Sequence, residues 1–162
     1  MMDPSGTPGV IAPPPLIGLA TVVLGLLLDW LWPAHALRDH FGLPARLIVG
    51  GALIGAGTAL AIAAERTFHR IGTNAPPWKP ALRLATEGVY THLRNPMYAG
   101  GLILLAGLGF ALASVWMLVM LVPAAVVLHY GVVRREERYL EERFGADYRA
   151  FKARVPRYGW RL

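Results

Sequence analysis

Residues 96–137 read PMYAGGLILLAGLGFALASVWMLVMLVPAAVVLHYGVVRREE. From Pro96 to Val133 this stretch holds no Lys, Arg, Asp or Glu, and then four charges arrive together at Arg134-Arg135-Glu136-Glu137. An apolar run of this length has no polar face to show to water, so its solvent is lipid. Ser114 divides it into two stretches, 96–113 and 115–133, each near the ~20 residues of a membrane-spanning helix. They read as a tight helical hairpin, short or tilted, with a re-entrant pair as the alternative. Upstream, residues 10–32 and 44–65 form two more apolar stretches of the same kind. The fold class expected is all-α: an integral membrane bundle of about four transmembrane helices with a cytoplasmic C-terminal helix, the whole chain 1–162 one domain.

The rest of the composition fits a membrane core. Of 162 residues, 55% are hydrophobic, and the mean hydropathy is +0.43. There is no cysteine, which excludes disulfides, thiolate metal sites and a thiol nucleophile. Residues 16–31 followed by Ala34-His35-Ala36 resemble a secretory signal, but the first fifteen residues carry no Lys or Arg. Without a basic n-region the segment reads as a membrane helix, with Pro13-Pro14-Pro15 as an extended lead-in or first turn.

Net charge is +6, and its distribution carries more than its sum. The loop 66–95 holds five basic residues and the tail 134–162 holds nine, including Arg161. With four spans both segments share the face of the N-terminus, which collects fourteen of the sixteen basic residues. The positive-inside rule makes that face cytoplasmic, and Trp30, Trp32 and Trp116 then fall at the opposite interface. This pattern points to membrane lipids as partners and away from nucleic acid.

Chemistry-bearing residues concentrate on the basic face. Pro96 suits the first position of a helix, which puts Arg94 and Asn95 at a helix N-terminus. Backbone N–H groups and a guanidinium there favour an anion such as a carboxylate. The bland alternative is an Arg94 that snorkels to lipid phosphate and an Asn95 that caps the helix. Glu136 and Glu137, just past the last apolar run, could hold a cation, or form a solvated cluster with nearby arginines. His129 is ionisable at membrane depth. It stands seven residues before Glu136, about 10 Å along a helix and on the same face. It could shuttle a proton or bond a neighbouring helix. Asp29 reads as structural. Gly145 is expected to break the tail helix. The glycines Gly50, Gly51, Gly55 and Gly57 lack the strand–helix context of a nucleotide loop and read as helix packing, as do Gly100 and Gly107, although Gly100 could also admit a ligand. No metal-ligand pattern is present.

The string Gly88-Val89-Tyr90-x-x-x-Arg94-Asn95-Pro96-Met97-Tyr98-Ala99-Gly100, followed by Glu136-Glu137, Phe144-Gly145-x-x-Tyr148 and Val155-Pro156-Arg157, resembles the isoprenylcysteine carboxyl methyltransferase / phospholipid methyltransferase superfamily. The likeness spans about residues 73–157. It implies an S-adenosylmethionine-dependent methyltransferase acting on a lipophilic or membrane-embedded acceptor: an isoprenylcysteine-like carboxylate, a phospholipid amine or a small thiol. Gly88, Tyr90, Arg94, Asn95, Pro96, Tyr98, Gly100, Glu136 and Glu137 would then bind the cofactor. At least one glutamate would meet its ammonium, and Glu137 or His129 could accept a proton. Asn95 stands where many members have His. Two readings compete: an NADPH-dependent membrane reductase of the same superfamily, and a non-catalytic lipid-binding protein.

Overall fold

A computed structural model describes residues 6–159; Asp3 and Arg161 lie outside the described residues. The described residues are helical and contain no strand. Six helices follow in order: α1 (Pro14–Leu31), α2 (Ala36–His40), α3 (Leu43–Ile71), α4 (Pro96–Leu112), α5 (Val115–Leu128) and α6 (Arg134–Arg154). A 3₁₀ turn at Gly88–Thr91 precedes α4, and a π turn at His129–Val133 joins α5 to α6 without a break. Three helices are long and apolar enough to cross a membrane: α1, α3, and the continuous rod that begins at Val115. The 17 residues of α4 fall just short of that length. This fits a short or tilted partner in the hairpin.

The sequence places the elements well and their ends less so. Residues 10–13 are not helical, because Pro13 takes extended dihedrals and the following prolines occupy the first turn of α1. Helix α3 continues past residue 65 to Ile71, ending on Gly72 in the left-handed conformation. The expected loop 66–95 therefore begins as helix. The expected boundary at residue 133 is a change of chemistry only, since the backbone stays helical across it. Gly145 does interrupt α6, with φ 53° and ψ −118°. Beyond it the chain folds back, and Lys152 Nζ reaches Glu141 Oε2 at 3.1 Å.

Lipid replaces water around this bundle, so packing depends on close approach rather than on hiding apolar surface. Large apolar side chains such as Leu16, Leu19, Val23 and Val122 remain exposed on the outside. Inside, glycines let helices touch. A Cβ on Gly100 of α4 would lie 2.6 Å from the Gly57 carbonyl oxygen of α3, and one on Gly107 would lie 2.7 Å from that of Gly50. Gly25 of α1 meets the backbone of Met117 of α5 in the same way. At the end of the bundle away from α6, Ser114 caps α5 by accepting from Met117 N and donates to the Asp29 carboxylate. Trp116 Nε1 donates to the Trp32 carbonyl at 2.7 Å. The three tryptophans thus share one end, as an interfacial belt requires.

Candidate active site

The two charged motifs, Arg94-Asn95 and Glu136-Glu137, meet at the basic end of the bundle. Arg94 and Asn95 lead into α4, whose first turn is opened by Pro96. The chain just after α6 runs beside them. Arg94 N donates to the Pro156 carbonyl at 3.0 Å, and Asn95 Nδ2 donates to the Arg157 carbonyl at 3.4 Å. Asn95 makes no side-chain cap, so its buried amide ties the tail to α4 instead.

The adjacent glutamates have different partners. Glu137 is buried and receives Arg157 in a fork, Nε at 2.9 Å and Nη2 at 2.6 Å, while Arg94 Nη1 stands at 3.1 Å. Burial alone would raise its pKa, but the Arg157 hydrogen bonds and the charges of Arg94, Arg157 and Lys152 overrule it and hold the carboxyl below its usual value. Glu136 has no arginine; its Oε1 accepts from the Tyr98 hydroxyl at 2.8 Å. Burial pushes its pKa up to about 7, against the Tyr98 hydrogen bond and with help from the neighbouring Glu137 charge.

These groups line a chamber of about 100 Å³ whose walls include Tyr90, Arg94, Asn95, Tyr98, Glu136 and Glu137. Arg94 Nε is buried and has no hydrogen-bond partner. This guanidinium, 8% exposed, keeps one donor that no protein acceptor takes, as does Arg46 Nε elsewhere in the chain. The segment 73–85 roofs the chamber. Thr73 Oγ1 accepts from Leu82 N and Arg83 N, and the Tyr139 hydroxyl accepts from Ala81 N. Beside the chamber runs a larger, mostly apolar groove of about 700 Å³ between α1, α3, α4 and α5. Met97, Tyr98 and residues 73–77 border both spaces.

Three expected site residues lie elsewhere. Gly100 is packed against Gly57 and does not line the chamber. Gly88 also stands outside it; φ +58° requires glycine there, and a Cβ would meet the Thr67 hydroxyl. His129 does not line the chamber either, and a π turn, not a regular α-helical turn, lies between it and Glu136. Its Nδ1 is 3.0 Å from the Tyr158 hydroxyl. Conversely, Tyr148, which lines the chamber, and Arg157, which grips Glu137, belong to motifs visible in the sequence that carry no assigned role there. Phe151 and Tyr139 also line it and carry no such signal. Among the described residues no cluster of His, Asp and Glu could hold a metal ion.

A bundle of apolar helices with a chamber walled by buried charged side chains at one end defines an integral membrane protein with an enclosed binding space. The chain belongs to the phospholipid methyltransferase family, whose description matches residues 45–147. Methyltransferases of this family generally use S-adenosylmethionine. No curated protein and no solved structure matches the chain.

Proposed function

We propose that this protein transfers a methyl group from S-adenosylmethionine to a lipid-type acceptor, with the cofactor's amino-acid end in the polar chamber and the acceptor in the apolar groove. The observation that carries this reading is the unpartnered Arg94 Nε buried in the same chamber as Glu136. An amino-acid end carries one carboxylate and one ammonium. Arg94 offers an unused donor to the first, and Glu136, unpaired by any arginine, offers a carboxylate to the second. Glu137 then works as a positioning residue that fixes Arg94 together with Arg157. Its lowered pKa makes it a poor proton acceptor.

The charged groups that would hold the amino-acid end line the chamber, and its roof, residues 73–85, would lie against the rest of the cofactor. The cofactor supplies an electrophilic methyl group on a sulfonium. The protein's own part is to hold the reacting groups in line and to keep water out. Tyr98 and Met97, on the border of the two spaces, mark where an acceptor from the groove would face the chamber. The apolar groove favours a lipophilic acceptor; the basic face, with its chamber, is the cytoplasmic one on this reading.

Titrating S-adenosylmethionine into detergent-purified protein by calorimetry tests the site. Saturable binding is expected in the wild type, weakened at least about tenfold in Arg94→Ala and in Glu136→Ala, as loss of a charge-assisted hydrogen bond implies. Unchanged affinity in both folded variants would remove the site assignment.

A further inference from the structure

Next to the chamber, sharing Pro8 and Tyr139 with it, lies a third space, a cleft of about 530 Å³ whose arginines the methyl-transfer reading does not use. One wall is the bent segment Gly6–Gly9, whose two glycines have φ 66° and 59°, and the other is the first three turns of α6 with Tyr130 above them. The segment is fastened by two hydrogen bonds. Ile11 N donates to the Gly131 carbonyl in the π turn at 3.1 Å, and Arg135 Nη1 donates to the Gly9 carbonyl at 2.8 Å. The π turn thus has a structural consequence, because its Gly131 carbonyl accepts from a segment outside the helix.

Four exposed arginines line this cleft: Arg134, Arg135, Arg138 and Arg143. None has a carboxylate partner among the described residues, and Glu142 is the one acidic residue in the lining. Two of the guanidiniums are held over rings: Arg134 lies 5.5 Å from the Tyr130 centroid, and Arg143 lies 5.9 Å from that of Tyr139. Such contacts restrain the two side chains on the cleft wall and leave N–H donors for an oxyanion. The cleft also sits at the end of an apolar path. Val122, Val126 and Tyr130 follow at helical spacing along the exposed side of α5, and they are 68%, 51% and 59% exposed. Acyl chains lying on that stripe would bring a headgroup to Arg134.

We infer that the cleft between residues 6–9 and α6 binds the phosphate of an anionic phospholipid headgroup. Clustered guanidiniums match phosphate oxygens, and their summed charge disfavours a headgroup that carries its own ammonium. The same phosphate chemistry occurs in soluble esters, so the test separates the two sources.

The full chain is reconstituted in vesicles of equimolar phosphatidylglycerol and phosphatidylcholine, extracted, and its retained lipid measured by native mass spectrometry. The wild type is expected to retain phosphatidylglycerol over phosphatidylcholine by about tenfold, the order expected for several arginines near one phosphate. The preference is expected to vanish in Arg135→Gln/Arg138→Gln. It is expected to survive in Arg66→Gln/Arg149→Gln, which removes the same charge from the same face. If the double variant fails to fold, Arg138→Gln alone carries the test, since that side chain is exposed. Equal retention of both lipids by the wild type would overturn the inference. So would an equal loss in the control variant, which would reduce the effect to bulk charge. Displacement of the lipid by an equal concentration of glycerol 1-phosphate would overturn the lipid assignment in favour of a free-phosphate site.

Discussion

Glu136 and Glu137 are neighbours in the chain with different partners. Glu137 is buried between Arg94 and Arg157, so removing it strands a buried guanidinium. Glu137→Ala is expected to cost about 3–5 kcal/mol, the usual penalty for breaking a buried pair, read as a fall in unfolding temperature in detergent. Glu136 behaves differently because its pKa, raised from 4.5 to about 7, keeps it protonated in mild acid. Its contribution to stability is fully present below 4.5 and is lost as pH rises through about 7. For a cationic ligand the sign reverses, since the carboxylate forms only as pH rises. Cofactor affinity is therefore expected to increase through about pH 7 in the wild type and to lose that acid limb in Glu136→Gln, as titrations at several pH values would show. The sequence displays both carboxylates and Arg94, but it does not say which glutamate meets which arginine. That pairing depends on Arg157, which α6 and its kink at Gly145 return to the site from twenty residues away.

Helix α4 illustrates what can be read from pattern and what cannot. Its apolar run, its opening Pro96 and its small residues are all visible in the sequence, and the structure uses them as a helix packed on α3. Gly100 packs against Gly57 and is not among the residues that line the chamber. Gly100→Ala would force the two backbones apart, and Gly57→Ala would do the same from the other side. Each is expected to lower stability by about 1–3 kcal/mol, the cost of overpacking, whereas Gly101→Ala, with open space around it, is expected to be neutral. Thermal unfolding of the three variants checks this. The π turn was not legible at all, because one extra residue in a turn leaves no mark on an apolar run. That single turn separates His129 from Glu136 and gives the segment 6–12 its anchor at Gly131.

At the scale of the molecule, hydropathy and charge give an all-helical membrane protein with its basic residues gathered on one face. Family membership adds methyl transfer to that outline. Two spaces border each other at Tyr98 at the basic end, one walled by the buried charged groups Arg94, Glu136 and Glu137 and one walled by apolar side chains, which is the arrangement the proposed reaction needs. They were not visible in the sequence because the walls come from five separated stretches of chain. The most direct test is transfer of radiolabelled methyl groups from S-adenosylmethionine into the lipid fraction of proteoliposomes containing the purified protein. Label is expected in the lipid with the wild type, reduced by about a hundredfold in folded Glu136→Ala, the effect of losing about 2.7 kcal/mol of charged contact. Absence of lipid label from a folded wild type, or equal labelling by the variant, would contradict the account.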